Sequence, residues 1–95
     1  MSEVIEAAVE AMRDKFGEGF DGSAKFVLRG EGAVMVDSAG VRAADEEAEV
    51  VLTASVDTFR AILDGDLSPT MAFMSGRLSV EGNMGMALRL ASAMG

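Results

Sequence analysis

The sequence predicts a small α+β domain whose elements follow the order α-β-β-β-β-α-α-β-α. Three observations predict this class: an amphipathic segment near the start, a series of short alternating segments divided by glycine-rich turns, and helices in the last third with recognisable first residues. A chain of 95 residues has room for one hydrophobic core, so residues 1–95 are expected to form a single domain.

The first predicted element is an amphipathic helix over residues 3–16. Apolar residues recur along it at three-to-four-residue spacing, and charged residues occupy the other side. Arg13 and Lys15 fall in the last turn, and Gly17 follows as a C-cap. Basic residues and glycine are both favoured at a helix C-terminus, so the helix is expected to end there.

Three short strands are predicted next, over residues 24–29, 33–37 and 41–44. The tight glycine-containing connections between them predict an antiparallel meander. A fourth strand is predicted over residues 50–54, directly after the acidic stretch 45–49. Charges beside a strand discourage edge-to-edge pairing, and the acidic stretch is expected to protect this strand in that way.

The last third of the chain is predicted to hold two short helical segments, a fifth strand over residues 77–81 and a final helix. Serine and asparagine accept hydrogen bonds at helix N-termini, proline is favoured in the first turn, and glycine ends helices. The boundaries are marked by Ser55 and Gly65, by Ser68, Pro69 and Gly76, and by Asn83.

The charge and hydropathy of the sequence argue against nucleic acid and against a stable membrane association. The net charge of −8 and the absence of a basic cluster argue against nucleic acid, because phosphate backbones would be repelled. The same charge limits membrane contact to a transient encounter through a local apolar mouth. No apolar run approaches the roughly 18 residues of a membrane span, and the start is acidic, unlike a signal peptide. A cytoplasmic location is therefore expected.

The sequence contains few of the side chains that usually catalyse reactions. The chain has no His, Cys, Tyr or Trp, and its serines have no evident base to activate them. A carboxylate pair stays open as an alternative, because any two of the sixteen acids could meet in the fold. The sequence predicts a protein that is not an enzyme.

Two short patterns resemble cofactor or metal sites. Residues 17–22 have the spacing of a dinucleotide fingerprint, but they follow a helix and precede a strand, where that fingerprint requires the reverse. The acidic stretch 45–49 lacks the alternating ligands and central glycine of a calcium loop. We therefore expect two ordinary connections, with no cofactor and no metal.

Methionine is concentrated late in the chain. Methionine is unbranched and polarizable, and it suits apolar surfaces that accommodate different shapes. Composition alone favours ordinary core packing for these residues. Five of the eight methionines lie beyond residue 70, namely Met71, Met74, Met84, Met86 and Met94.

Residues 49–91 carry an ordered set of motifs that resembles a known family. The set begins with the strand EVVLTA at 49–54 and a Ser-capped helix containing Phe59, and continues with GDLSP at 65–69 and GRLSVEGN at 76–83. It is similar to the sterol carrier protein 2 family, also called the SCP2 sterol-binding or nonspecific lipid-transfer domain. Asp66 stands where that family usually has a lysine, which leaves the identity of the ligand open.

The resemblance implies a five-stranded mixed, mostly antiparallel sheet with helices on one face and a hydrophobic tunnel between them. It implies non-catalytic binding or transfer of a sterol, fatty acid or acyl lipid. Arg77 or Arg89 could pair with a carboxylate head group, although surface solubility is the commoner role of such residues. Leu78 and Val80 are attributed to the sheet and not to the ligand wall. The lipid-binding residues expected from the match are Phe59, Ile62, Leu63, Met71, Phe73, Met74, Met84, Leu88 and Leu90.

A protein-interaction module is the alternative. In that hypothesis the same apolar surface, and the last helix with Met86 and Leu90 in particular, would close a homodimer or dock a partner protein.

Overall fold

The computed structural model describes residues 3–17 and 19–94, and its element order is the predicted one. No helix in these ranges is long and apolar enough to cross a membrane. The elements are α1 Glu3–Phe16, β1 Ala24–Leu28, β2 Gly32–Asp37, β3 Gly40–Ala43, β4 Val50–Ala54, α2 Val56–Leu63, α3 Pro69–Met74, β5 Leu78–Gly82 and α4 Met84–Met94.

The five strands form one mixed sheet in the order β3-β2-β1-β4-β5. Three neighbouring pairs are antiparallel, and β1 pairs with β4 in parallel. The predicted mostly antiparallel five-stranded sheet is thereby confirmed. The role expected for the stretch 45–49 as protection of a sheet edge is wrong, because β4 is an interior strand that is paired on both sides.

The stretch 44–49 instead carries the chain from β3 to β4 over the sheet face opposite the helices. Lys25 of β1 alternates with the core residue Phe26 and so points to that face, where its Nζ lies 2.8 Å from Oδ1 of Asp45. In the same way Arg42 of β3 pairs with Glu46, with an N–O distance of 3.0 Å. The two ion pairs hold the connection close to the sheet.

This connection accounts for a buried side chain outside the main core. Met35 of β2 lies in register between Lys25 and Arg42, and only 1% of its surface is exposed. The two basic residues and the segment that they bind cover it. The face without helices is thus partly shielded by chain and not left as an open apolar surface.

The main core lies between the other face of the sheet and the four helices. Alternation along β1 and β4 directs every second side chain to this side. At its centre the ring of Phe26 lies 6.0 Å from that of Phe16 and 5.9 Å from that of Phe59, measured between centroids. Full burial of each large apolar side chain contributes roughly 1.5–3 kcal/mol, and this cluster connects α1 and α2 to the sheet.

The predicted helix starts are confirmed in detail. The side chains of Ser55, Ser68 and Asn83 each accept a hydrogen bond from the backbone N–H three residues later, at 3.0–3.1 Å. Such a bond satisfies one of the free N–H groups of the first turn. Some boundaries differ slightly, since α2 ends at Leu63 and not at Gly65, and the fifth strand begins one residue later than predicted.

The connection between α1 and β1 is the predicted turn. The N–H of Gly17 donates to the carbonyl oxygen of Arg13 at 2.8 Å, and Gly17 has a φ of 59°. This left-handed residue ends the helix as a glycine C-cap does. Glu18, which falls inside the glycine pattern, lies outside the described residues.

The backbone at Glu49 approaches Gly82 so closely that a side chain at position 82 would clash with it. Gly82 ends β5 with a φ of 102°, and a Cβ there would run into the carbonyl oxygen of Glu49. Gly76 also has a positive φ, 80°, but a Cβ there would meet open space. We therefore expect Gly82→Ala to lower the free energy of unfolding by about 1–3 kcal/mol more than Gly76→Ala, measured by urea denaturation. Equal losses would contradict the close approach.

The carboxylate of Asp37, at the end of β2, makes the stability of the fold depend on pH. Arg42 donates to both carboxylate oxygens of Asp37 at 3.0 Å, and the N–H of Ala39 donates to Oδ1 at 2.9 Å. The Arg42 hydrogen bond first, and the Ala39 bond next, lower the pKa of Asp37. Its stabilising effect is therefore present above the unfolded pKa of about 3.9 and is lost as the pH falls through the lower native value.

Asp37→Asn isolates this effect, because the amide oxygen can still accept the Ala39 bond. We expect the free energy of unfolding of the variant to lie below that of the wild type at pH 6, and the difference to shrink as the pH falls below about 4. Urea denaturation at a series of pH values in constant salt measures it. A difference that stays constant down to pH 2 would show that the charge of Asp37 does not contribute.

Candidate ligand-binding groove

An apolar groove opens between α3 and α4 on the helix-covered side of the sheet, and its volume is about 120 Å³. Strands β4 and β5 form its floor, while α3 and α4 form its two walls. It lies at the β5 edge of the sheet, at the far end from the β2–β3 hairpin that carries Asp37.

The floor results from strand alternation. Leu78 and Val80 of β5 face the helices, whereas Ser79 between them faces the other side of the sheet. Leu52 of β4 lies opposite Val80 in the antiparallel register and completes the floor. The sequence pattern attributed Leu78 and Val80 to the sheet alone, but the structure places both in the groove lining.

The α4 wall results from helical spacing. Met84, Leu88 and Ala91 recur at intervals of four and three residues, and all three line the groove. Met86 and Leu90 lie on a different side of the helix and enter the core, with 6% and 0% of their surface exposed. The small side chain of Ala91 leaves free volume between helix and sheet.

The α3 wall is short and lightly attached. Its six residues begin with Pro69, and Thr70 and Phe73 turn towards the groove from positions three residues apart. Ala72 is the only buried residue of this helix. Because so little apolar surface fixes α3 to the rest of the molecule, it is the wall that can move most easily.

The electrostatic character of the groove is uniform. Of the described residues that line it, none has a titratable side chain, and the hydroxyl of Thr70 is the one polar side-chain group. Such a lining offers burial to an apolar ligand and supplies no group for proton transfer. Elsewhere in the described ranges, no three acidic side chains come together as a possible metal site.

Three of the nine residues expected at the ligand line this groove, namely Phe73, Met84 and Leu88. They are also partly open to solvent, with 47%, 49% and 67% of their surface exposed. They therefore lie at the mouth, where an entering ligand would first meet the protein. Met71 and Met74 of α3 are exposed as well, but they point outside the groove.

The other four expected residues lie away from this groove. Phe59, Ile62 and Leu90 belong to the core and are at most 1% exposed. Leu63 is half-buried and, together with Phe59, lines a second cleft between α1 and α2, of about 240 Å³.

The second cleft is a possible alternative site. Its lining is mostly apolar and includes the half-buried Ala11 of α1, but Arg60 and Asp64 also belong to it. A larger hollow of about 730 Å³ between α1 and β3 is lined mainly by charged residues, including Glu6, Glu10 and Arg13. Neither is as free of charge as the groove between α3 and α4, which therefore suits an apolar ligand best.

Comparisons with known proteins agree with this architecture. Bovine hydroxysteroid dehydrogenase-like protein 2 is 36% identical over 95 residues, which cover 99% of this chain and 22% of the bovine protein. The chain thus spans about a fifth of the length of that relative.

Two solved mosquito structures share the fold. The crystal structure of sterol carrier protein 2 like 2 from Aedes aegypti superposes with a TM-score of 0.78 at 20% identity, covering 94% of both chains. The solution structure of Aedes aegypti sterol carrier protein 2 in complex with palmitate gives 0.76 at 19% identity, covering 99% of this chain and 96% of that one.

The model of the SCP-2 sterol transfer family matches residues 7–95. This match spans nearly all of the chain, and it extends the likeness found in residues 49–91 to α1 and the meander. The resemblance is therefore confirmed, and the chain belongs to the SCP-2 sterol transfer family.

Proposed function

We propose that this chain binds one long-chain lipid, such as a fatty acid or acyl lipid, in the groove between α3 and α4 and carries it without chemical change. The observation that carries the proposal is the apolar lining of that groove, which has no titratable side chain. Family membership and the palmitate held by the mosquito protein support the same class of ligand.

The energy for binding comes from burial. Each buried methylene contributes roughly 0.8 kcal/mol, so a long acyl chain gains on the order of 10 kcal/mol before the costs of association. The groove of about 120 Å³ is smaller than the roughly 300–1,000 Å³ of typical ligand pockets. An acyl chain must therefore widen it, and we expect α3 to move outwards while α4 stays anchored through Met86 and Leu90.

Two arginines are candidates for the head group. Arg77 is exposed and directly precedes β5, and the guanidinium of Arg89 lies 5.2 Å from the ring centre of Phe20. Neither lines the groove. To pair with a carboxylate at the mouth, either side chain would have to turn towards the groove, and Arg89 would also have to leave the ring of Phe20.

Within this proposal the domain supplies binding and no catalysis. The bovine relative is named as dehydrogenase-like, and the region similar to this chain is about a fifth of it. A reaction carried out by such a longer protein would use groups outside the part that corresponds to this chain, and this domain would hold or deliver the apolar substrate.

A pair of matched variants tests which cleft binds lipid. Ala91→Phe fills the groove between α3 and α4, and Ala11→Phe fills the cleft between α1 and α2; both alanines are half-buried on helices. We expect Ala91→Phe to abolish saturable binding of a fluorescent fatty acid and Ala11→Phe to leave it within about twofold, since only the first ring occupies the ligand volume.

Circular dichroism and urea denaturation confirm that each variant is folded. Loss of binding in Ala11→Phe alone would move the site to the second cleft. Absence of bound lipid in native mass spectrometry, together with no saturable uptake by the wild type, would contradict the proposed function itself.

A second matched pair uses one residue type. Met84 and Met71 are exposed to similar degrees, 49% and 57%, but only Met84 lines the groove. Met84→Gln places an amide against the ligand, and we expect it to weaken fatty-acid binding about tenfold. Met71→Gln is expected to leave the dissociation constant unchanged in the same fluorescence titration. Equal weakening by both substitutions would contradict the assigned lining.

A homodimer through α4 would have to use residues other than Met86 and Leu90. Met86 and Leu90 belong to the core, so charges introduced there would unfold the domain and not report on association. Met84 and Leu88 are the exposed apolar residues of α4, and a dimer through this helix would have to bury them.

A further inference from the structure

The two edge strands of the sheet differ in how they are protected. At the β3 edge, α1 packs against the strand, and the side chain of Arg13 donates to the carbonyl oxygen of Val41 from Nε at 3.3 Å and from Nη2 at 3.2 Å. No residue of β3 is exposed, whereas Ser79, Glu81 and Gly82 of β5 are. An uncovered edge strand presents backbone groups to any strand that approaches it. The open edge of the sheet is therefore β5.

The register of the sheet shows which backbone groups of β5 are free. The N–H of Asn83 donates to the carbonyl oxygen of Glu49 at 2.9 Å, directly after the last pair of β4 and β5. Bonded and non-bonded pairs alternate along an antiparallel ladder, so Leu78 and Val80 direct their N–H and C=O groups away from β4. Within the described ranges, no backbone group outside the sheet bonds to them. Both residues can thus pair with a further strand.

Charge is balanced along this edge. Arg77 directly precedes β5, Glu81 lies within it, and both are exposed. Because the side chain of Leu78 is buried on the helix side, strand alternation turns Arg77, Ser79 and Glu81 to the open face of the sheet. Residues 67–95 contain one acidic side chain and two arginines, so the net charge of −8 is carried by the rest of the chain. Two copies would repel each other least along β5.

We propose that β5 pairs antiparallel with β5 of a second copy of this chain, so that the two five-stranded sheets become continuous across a two-fold axis. The axis passes between Ser79 and Ser79 of the second copy. Leu78 then lies opposite Val80 of the second copy, and the two exchange backbone hydrogen bonds through the groups that are free in one copy. This inference goes beyond the proposed lipid binding and does not depend on it.

Charge complementarity selects this register. It places Arg77 of each copy opposite Glu81 of the other, in pairs that exchange no backbone bonds and whose side chains are therefore closest. Opposite charges at such positions stabilise a strand pair. A shift by two residues places Ser79 opposite Glu81 and Arg77 opposite Asn83, and both ion pairs are lost.

Symmetry favours a second copy over a foreign strand. A two-fold axis supplies the matching charges in the matching order, because each copy carries one of each. The pairing also uses the one open edge, since α1 covers β3, and association stops at a dimer. A contact along one short strand is smaller than the roughly 1,000 Å² of a stable interface, so the dimer forms reversibly with concentration.

Charge reversal tests the pairing by sedimentation velocity of the full chain at about 0.15 M salt, with protein concentrations up to about 1 mM. The wild type is expected to shift from monomer to dimer across this range. Arg77→Glu and Glu81→Arg each place like charges opposite each other, and we expect each to raise the dissociation constant at least about tenfold. The variant with both substitutions restores opposite charges and is expected to return within about threefold of the wild type.

Lys15→Glu is the matched control for net charge. It changes the charge by as much as Arg77→Glu does, at an exposed position on α1 beside the other sheet edge. We expect it to leave the dissociation constant within about twofold, since salt screens charges beyond about 8 Å. Circular dichroism checks that every variant is folded. Equal weakening by Lys15→Glu, no recovery in the double variant, or a wild type that stays monomeric would each overturn the proposal.

Cross-linking tests the position of the two-fold axis. The chain has no cysteine, so a single substitution introduces the only thiol. Opposite residues in a non-bonded pair have Cα atoms about 4.5 Å apart, within the range that a disulfide spans. Under mild oxidation we expect Ser79→Cys to form a covalent dimer at least about tenfold faster than Ser38→Cys, which lies exposed in the turn between β2 and β3. Equal rates would contradict pairing through β5.

A dimer through α4 predicts a different result. Leu88→Glu would then dissociate the dimer while Arg77→Glu left it intact, because Leu88 is the most exposed apolar side chain of that helix. That outcome would overturn the proposal and assign the contact to α4. Dissociation by Arg77→Glu, with recovery in the double variant, supports pairing through β5.

Discussion

The parallel pairing of β1 with β4 is the constraint on which the rest of the structure depends. Two parallel strands cannot be joined by a tight hairpin, so the chain must return across the sheet between β3 and β4. It does so on the face without helices, where Lys25 and Arg42 bind its acidic side chains. The opposite face is left to all four helices, and β5 joins the outer side of β4. The floor of the groove is therefore at one sheet edge, with the crossing segment, the β2–β3 hairpin and most of the charge elsewhere.

The groove owes its character to the unequal attachment of its two walls. Helix α4 inserts Met86, Leu90 and Met94 into the core, while α3 contributes Ala72 as its one buried residue. Local opening requires little free energy where few apolar contacts are broken. In the proposed function, the α3 wall separates from the floor while the sheet and α4 stay intact, so that a small domain would admit a large ligand without unfolding.

Local features of this fold could be predicted from the sequence, whereas contacts between distant elements could not. The caps at Ser55, Ser68 and Asn83 depend on hydrogen bonds within a few residues, and the expected helix starts were confirmed. The interior position of β4 depends on pairing between strands that are far apart in the chain, and no local pattern marks it. Family resemblance supplied the class of sheet, and it did not correct the edge role expected for the acidic stretch.

The candidate site shows the same contrast between local features, which the sequence predicts, and contacts between distant elements, which it does not. Helix α4 is apolar on nearly every side, so helical periodicity could not tell Leu88, which lines the groove, from Leu90, which lies in the core. Alternation predicts that Leu78 and Val80 face the buried side of the sheet, but it does not reveal that a groove lies above them. The apolar walls of the groove lie close together, and an acyl chain bound there would have to replace their contacts with its own. In the proposed function, the affinity is the difference between the energy gained by burying the acyl chain and the cost of moving α3. Because Met and Leu side chains repack easily, we expect this difference to change little between acyl chains of similar length. We therefore expect a wall that repacks in this way to select for the length and apolar character of the ligand more than for its exact shape.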